Sequence, residues 1–94
     1  MEIYIVSYSH YMGSEDGIYN EVVAFDNEAD AENRFSDYVT NDLLDGFDGT
    51  AEEFDKERDR LLGCVTEERY MQSRVLNVEI NEECYCVTLT RQMI

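Results

Sequence analysis

The sequence predicts an α+β domain: an antiparallel sheet of about four strands, in the order strand, strand, helix, helix, strand, strand, with the helices on one face. Three observations lead there. Near both ends of the chain, in EIYIVSYS and VLNVEI, apolar residues fall at alternate positions. Through the middle they recur instead at near-helical spacing. That middle also carries two helix-start signals, at Asp26-Asn27 and at Thr50. With no proline, no repeat and no linker-like stretch, residues 1–94 read as a single domain.

The elements follow in order. Ile3 to Ser9 is a strand with Ile3 and Ile5 on one side and Tyr4, Val6 and Tyr8 on the other. Apolar groups on both faces predict a central strand. A turn-rich loop, GSEDG from Gly13 to Gly17, leads to a second strand, Tyr19 to Phe25, that pairs antiparallel with the first. Asp26 or Asn27 caps the first helix, and Glu28, Asp30 and Glu32 lie where the positive end of the helix dipole favours anions. Ala31, Phe35, Tyr38 and Leu43 mark its buried face, and it should end near Leu44, before Gly46. Thr50 and Glu53 make a T-x-x-E capping box. The second helix then buries Ala51, Phe54, Leu61 and Leu62 and stops at Gly63. Cys64 to Ser73 reads equally as helix extension or loop. Val75 to Ile80 is a strand with Leu76, Val78 and Ile80 on one face, Asn81 to Glu83 is a turn, and Tyr85, Val87 and Leu89 face the core from a last strand.

Charge narrows the function. Twenty-two acids against seven bases give a net charge of −15, while 44% of the residues are hydrophobic and seven are tyrosine. That aromatic content is foreign to a disordered acidic tail. The charge argues against direct binding of nucleic acid through phosphates and against docking on an anionic membrane. The start, MEIYIVSYSHYMG, lacks the basic n-region of a signal peptide, and no run reaches the roughly 18 apolar residues of a membrane span. Three cysteines, an odd number, do not make a secreted disulfide framework. A reducing cytoplasm is the expected location.

Two constellations invite a chemical reading. Cys84 and Cys86 share one face of a strand, and with Cys64 and His10 they are the donors a zinc site would use. Zinc knuckles, however, place two or more residues between cysteines in a turn, so three reduced thiols without metal are expected. Counted from Asp26, the alternating acids of DNEADAE put Ala31 and Asp37 where a calcium loop needs Gly and Glu. His10 is expected to be solvated at a strand end, with no thiolate in reach. No catalytic residue and no cofactor are expected. Tyr8, Tyr11 and Tyr19 gather around one loop, and Tyr11 is the candidate contact residue among them.

The acids are unevenly spread. Asp26 to Asp59 carries thirteen of them against Arg34, Lys56 and Arg58, a local charge of −10. Asp26 to Asp45 alone is net −6; along roughly 30 Å of helix that is one charge per about 5 Å, against about 3.4 Å per phosphate on a DNA strand. Solubilising surfaces mix signs, whereas a single-sign field steers or binds.

In size, net charge and the acidic stretch DNEADAENRFSDYVTNDLLDGFDGTAEEFD the chain resembles phage-encoded anti-defence proteins, the anti-CRISPR and anti-restriction inhibitors that mimic nucleic acid. The resemblance implies a non-enzymatic DNA mimic in a bacterial cytoplasm. Its partner would be a basic nucleic-acid-binding protein or complex, such as a CRISPR effector. The expected contact residues are Asp37, Asp42, Asp45, Asp48, Glu52, Glu53 and Asp55, with Tyr11 as apolar anchor and Phe47 adding contact at the GFDG turn. The alternative is a protein-binding adaptor whose charge serves only solubility.

Overall fold

The computed structural model describes residues 1–12, 17–69, 72–80 and 82–94. Its strands are β1 (Glu2–Tyr11), β2 (Ile18–Phe25), β3 (Thr66–Glu68), β4 (Ser73–Ile80) and β5 (Glu83–Met93). Between β2 and β3 lie α1 (Glu28–Asp37), a π-helical turn (Tyr38–Leu43) and α2 (Ala51–Leu62). The sheet order is β2-β1-β5-β4-β3, antiparallel throughout. The first and last strands therefore pair at the centre, Glu2 opposite Met93 and Tyr11 opposite Cys84. The Met1 amino group donates to the Ile94 carbonyl at 3.0 Å.

The α+β class and the central place of the first strand follow the sequence; the strand count does not. Five strands form rather than four. The extra one, β3, is TEE within the stretch that read as helix or loop. Two glutamates in three polar residues give it little strand propensity. It forms because β4 offers a free edge, and the Thr66 hydroxyl donates to the Val75 carbonyl across the pair. Of the expected loops, Gly13 to Asp16 and Asn81 lie outside the described residues.

One buried cluster holds the layers together. From the sheet it takes Tyr4, Val6, Tyr8, Leu76, Tyr85, Val87 and Leu89, all on one face by alternation. From the helical layer it takes Ala31, Phe35, Tyr38, Val39, Leu43, Leu44 and Leu61. Both helices thus cover the same face, and the molecule is thin, 42 × 34 × 20 Å. Ala51, expected in this core, is exposed: it is the first residue of α2, and the helix meets the core through fully buried Leu61 and partly buried Phe54 and Leu62.

The caps behave as their chemistry dictates. Asn27 accepts the Asp30 backbone N–H at 2.9 Å, and Thr50 accepts that of Glu53 at 3.1 Å. The first helix does reach Leu43, but its last stretch is π-helical. The Leu44 amide bonds back five residues to the Val39 carbonyl at 3.2 Å. The gap from Tyr38 to Leu43 is also five. In an α-helix Asp42 would lie beneath Tyr38; i→i+5 bonding puts Leu43 there and turns Asp42 out of the core. Gly46 then reverses the chain at φ +75°, which a side chain would strain.

Candidate functional site

The π turn overhangs the end of β1, and between them opens a cleft of about 410 Å³. Its lining includes Tyr8, His10, Tyr19, Tyr85, Asp42, Asp45 and Glu83. Alternation places the first four on the helix side of the sheet, His10 directly between Tyr19 of β2 and Tyr85 of β5. The π turn supplies Asp42, and the turn after it supplies Asp45.

The rings form a connected wall. Tyr8 stacks on Tyr38 with centroids 4.8 Å apart and meets Tyr19 edge-on at 5.9 Å. His10 stacks on Tyr85 at 4.2 Å. Sequence led us to expect His10 in solvent; stacking leaves its side chain only 19% exposed. Its Nε2 is fully buried, 3.4 Å from Glu83 Oε2, but without the alignment of a hydrogen bond. Glu21 ties the wall to the helical layer. It accepts the hydroxyls of Tyr38 at 2.7 Å and Tyr19 at 2.8 Å, which hold its carboxyl below the usual range. Burial, more than any neighbour, pushes the Tyr8 and Tyr38 phenols far up.

Asp42 is the exception among the carboxylates. Desolvation first, then Glu21 and Asp45, raises its carboxyl above the ordinary value, and Arg34 only partly opposes this. Arg34 instead sits over the Tyr38 ring, 5.8 Å from its centroid. Among the described residues, Asp37, Asp42, Asp45 and Asp48 have no ion-pair partner. The α2 acids differ. Glu52 pairs with Lys56 at 3.6 Å, Asp55 with Arg58 at 3.3 Å, and Glu57 with Arg60. Glu53 serves the capping box. Of these four acids the cleft takes Asp42 and Asp45; among the described residues Asp26, Glu28 and Asp30 near the start of α1 are likewise without an ion pair.

Two apolar candidates lie elsewhere. Tyr11 projects from the opposite face of the sheet, beside Ile18 and Cys84, and is not brought to the acids. Phe47 meets Phe54 edge-on at 5.7 Å, and its ring approaches within 2.9 Å of where a Cβ on Gly49 would be. It is more a clasp between the turn and α2 than a free contact. The zinc constellation does not assemble: Cys84 and Cys86 share Tyr11's face, while His10 is on the other. Among the described residues no three His, Cys, Asp or Glu side chains converge as a metal site. A second cleft, about 350 Å³, is lined by Arg69, Arg74 and Arg91 but also by Glu28, Glu67 and Glu68. Arg74 is paired there with Glu32 and Arg91 with Glu2, so it offers no net cationic site.

The cleft's aromatic wall was only half legible. Tyr8 and Tyr19 stood out around their loop, but Tyr38, Glu21, Glu83 and Tyr85 belong to elements distant in sequence. What the arrangement can do is hold a cation: carboxylates give charge, and ring faces attract a guanidinium or ammonium through their quadrupoles. Comparison of the chain with protein-family models, curated proteins and solved structures finds no match. No described helix is long and apolar enough to cross a membrane.

Proposed function

We propose that the protein is a non-enzymatic inhibitor acting in a bacterial cytoplasm. It docks its acidic helical layer on the basic nucleic-acid-binding channel of a partner and excludes DNA. A bacterial defence complex of the CRISPR-effector kind has the right chemistry, because its channel must neutralise phosphates with Lys and Arg. The observation that carries the reading is that Asp42 and Asp45, neither with an ion-pair partner among the described residues, line an aromatic cleft. A partner's Arg or Lys side chain entering that cleft would find its counter-charge and ring faces already in place. Pre-organisation of this kind lowers the ordering cost of binding.

The test starts from a pull-down out of bacterial lysate, with the bound protein identified by mass spectrometry, followed by affinity measurement with purified components. Asp42→Asn with Asp45→Asn should weaken binding about 30-fold or more, since truncating a desolvated interfacial charge costs 2 kcal/mol or more. Glu52→Gln with Glu53→Gln should weaken it much less, because these acids already serve α2. Added salt should slow association. Unchanged affinity in the folded Asp42/Asp45 variant would overturn inhibition by charge and leave the adaptor reading in its place.

A further inference from the structure

We propose that the uncovered face of the sheet is where two copies of this chain pair, sheet against sheet. The face consists of the alternate positions of β1, β2, β4 and β5 that point away from the helices. Its apolar members include Ile3, Ile5, Ile18, Val22 and Val75, with Val22 68% and Ile18 61% exposed. None belongs to the core cluster. Among the described residues, charge comes to it only at its margins, from Glu79 near the end of β4 and from Glu68 on the edge strand β3. In a chain that is 31% charged, an exposed face without Lys, Arg or Asp is not an ordinary solvated surface.

Most hydroxyls on this face are already paired within the sheet. Ser7 bonds Thr88, Ser73 bonds Thr90, and Ser9 donates to Asn20. Covering them leaves those hydrogen bonds intact, so the desolvation cost is low.

Charge selects a second copy as the occupant. The helical side carries the −10 segment, and through it two copies repel. A two-fold axis through the open face sets a nearly neutral surface against itself and leaves both acidic layers outside. A cationic partner, by contrast, is drawn to the helical side. The area suffices. Four strands about 4.8 Å apart and roughly 30 Å long give a face of roughly 600 Å², to which three-residue β3 adds little. Standard interfaces start at about 600 Å² per partner. Sheets stack face to face about 10 Å apart in this way in β-sandwiches.

Sedimentation of the full chain tests the pairing. The expected result is a species of twice 11.0 kDa, tightening between about 0.01 M and 1 M salt as the Debye length falls from about 30 Å to about 3 Å. That salt response has the opposite sign from binding to a basic partner. Val22→Lys should weaken the dimer at least about tenfold by burying an unpaired cation on each copy. Ile18→Lys, on the same exposed strand, should do the same, and circular dichroism reports that both fold. Asp42→Asn with Asp45→Asn should not weaken it. A chain that stays monomeric to roughly 100 µM at both salt levels would overturn the proposal. So would a dimer that salt dissociates, one unmoved by both lysine variants, or a monomer that uses Val22 only to bind a different protein.

Discussion

Tyr8 and Tyr38 stack with ring planes 5° apart, and this contact joins the central strand to the π turn. Tyr38 is 3% exposed, and its hydroxyl continues the connection to Glu21 on β2. Tyr38→Ala should destabilise the fold by about 3–5 kcal/mol, the range for removing a buried aromatic ring. Tyr38→Phe keeps the stack, loses only the hydroxyl bond, and should cost clearly less. Urea midpoints for the two variants check the order; equal losses would mean the stack contributes nothing of its own.

Thr50 caps α2 by accepting the Glu53 amide. Thr50→Ala should cost about 1 kcal/mol, because that donor loses its partner at an exposed helix end. Thr50→Asn should retain most of the stability. The unfolding midpoint at neutral pH measures both.

Asp42 and Glu21 should give opposite pH dependences. The Asp42 carboxyl is raised in the fold, so the folded state binds its proton more tightly than the unfolded chain. Its charged form is therefore a cost at neutral pH that fades as pH falls from the folded value toward the unfolded one, about 3.9. Asp42→Asn should raise the midpoint at pH 7 and lose that advantage near pH 4. Glu21 is held low by two tyrosine hydroxyls, so its contribution is present above about 4.3 and is lost as pH falls through the folded value. Glu21→Gln should lower the midpoint at pH 7 and flatten the acid limb. Denaturation series from pH 3 to 8 separate the two signs.

Glu82, exposed in the link between β4 and β5, has φ +69°. Left-handed backbone costs a residue with a Cβ roughly 1–2 kcal/mol, part of which glycine returns as unfolded-state entropy. Glu82→Gly should therefore stabilise by up to about 1 kcal/mol, read as a higher thermal midpoint. A lower midpoint would show that the glutamate side chain contributes more than its backbone strain costs.

What the sequence determined by itself is the local part of this protein. Alternation in EIYIVSYS assigned a strand, and in Tyr85, Val87 and Leu89 a strand and its buried face, because a pleated strand exposes its sides by turns. Asp26-Asn27 and Thr50 declared two helix starts, because an orphan backbone donor needs an acceptor within a few residues. The uneven charge was also plain to read. The tertiary structure decided everything that depends on a neighbour far along the chain. β3 exists only because β4 offers an edge, and Ala51 stays outside because α2 docks through Phe54, Leu61 and Leu62 instead. The five-residue gap from Tyr38 to Leu43 became a π turn only when both had to reach one core. The same turn swung Asp42 toward Tyr8, Tyr19 and Tyr85, making an acidic run into the rim of a cleft. Alternation put Tyr11 on the opposite face, since a single step along a strand reverses the side a residue faces.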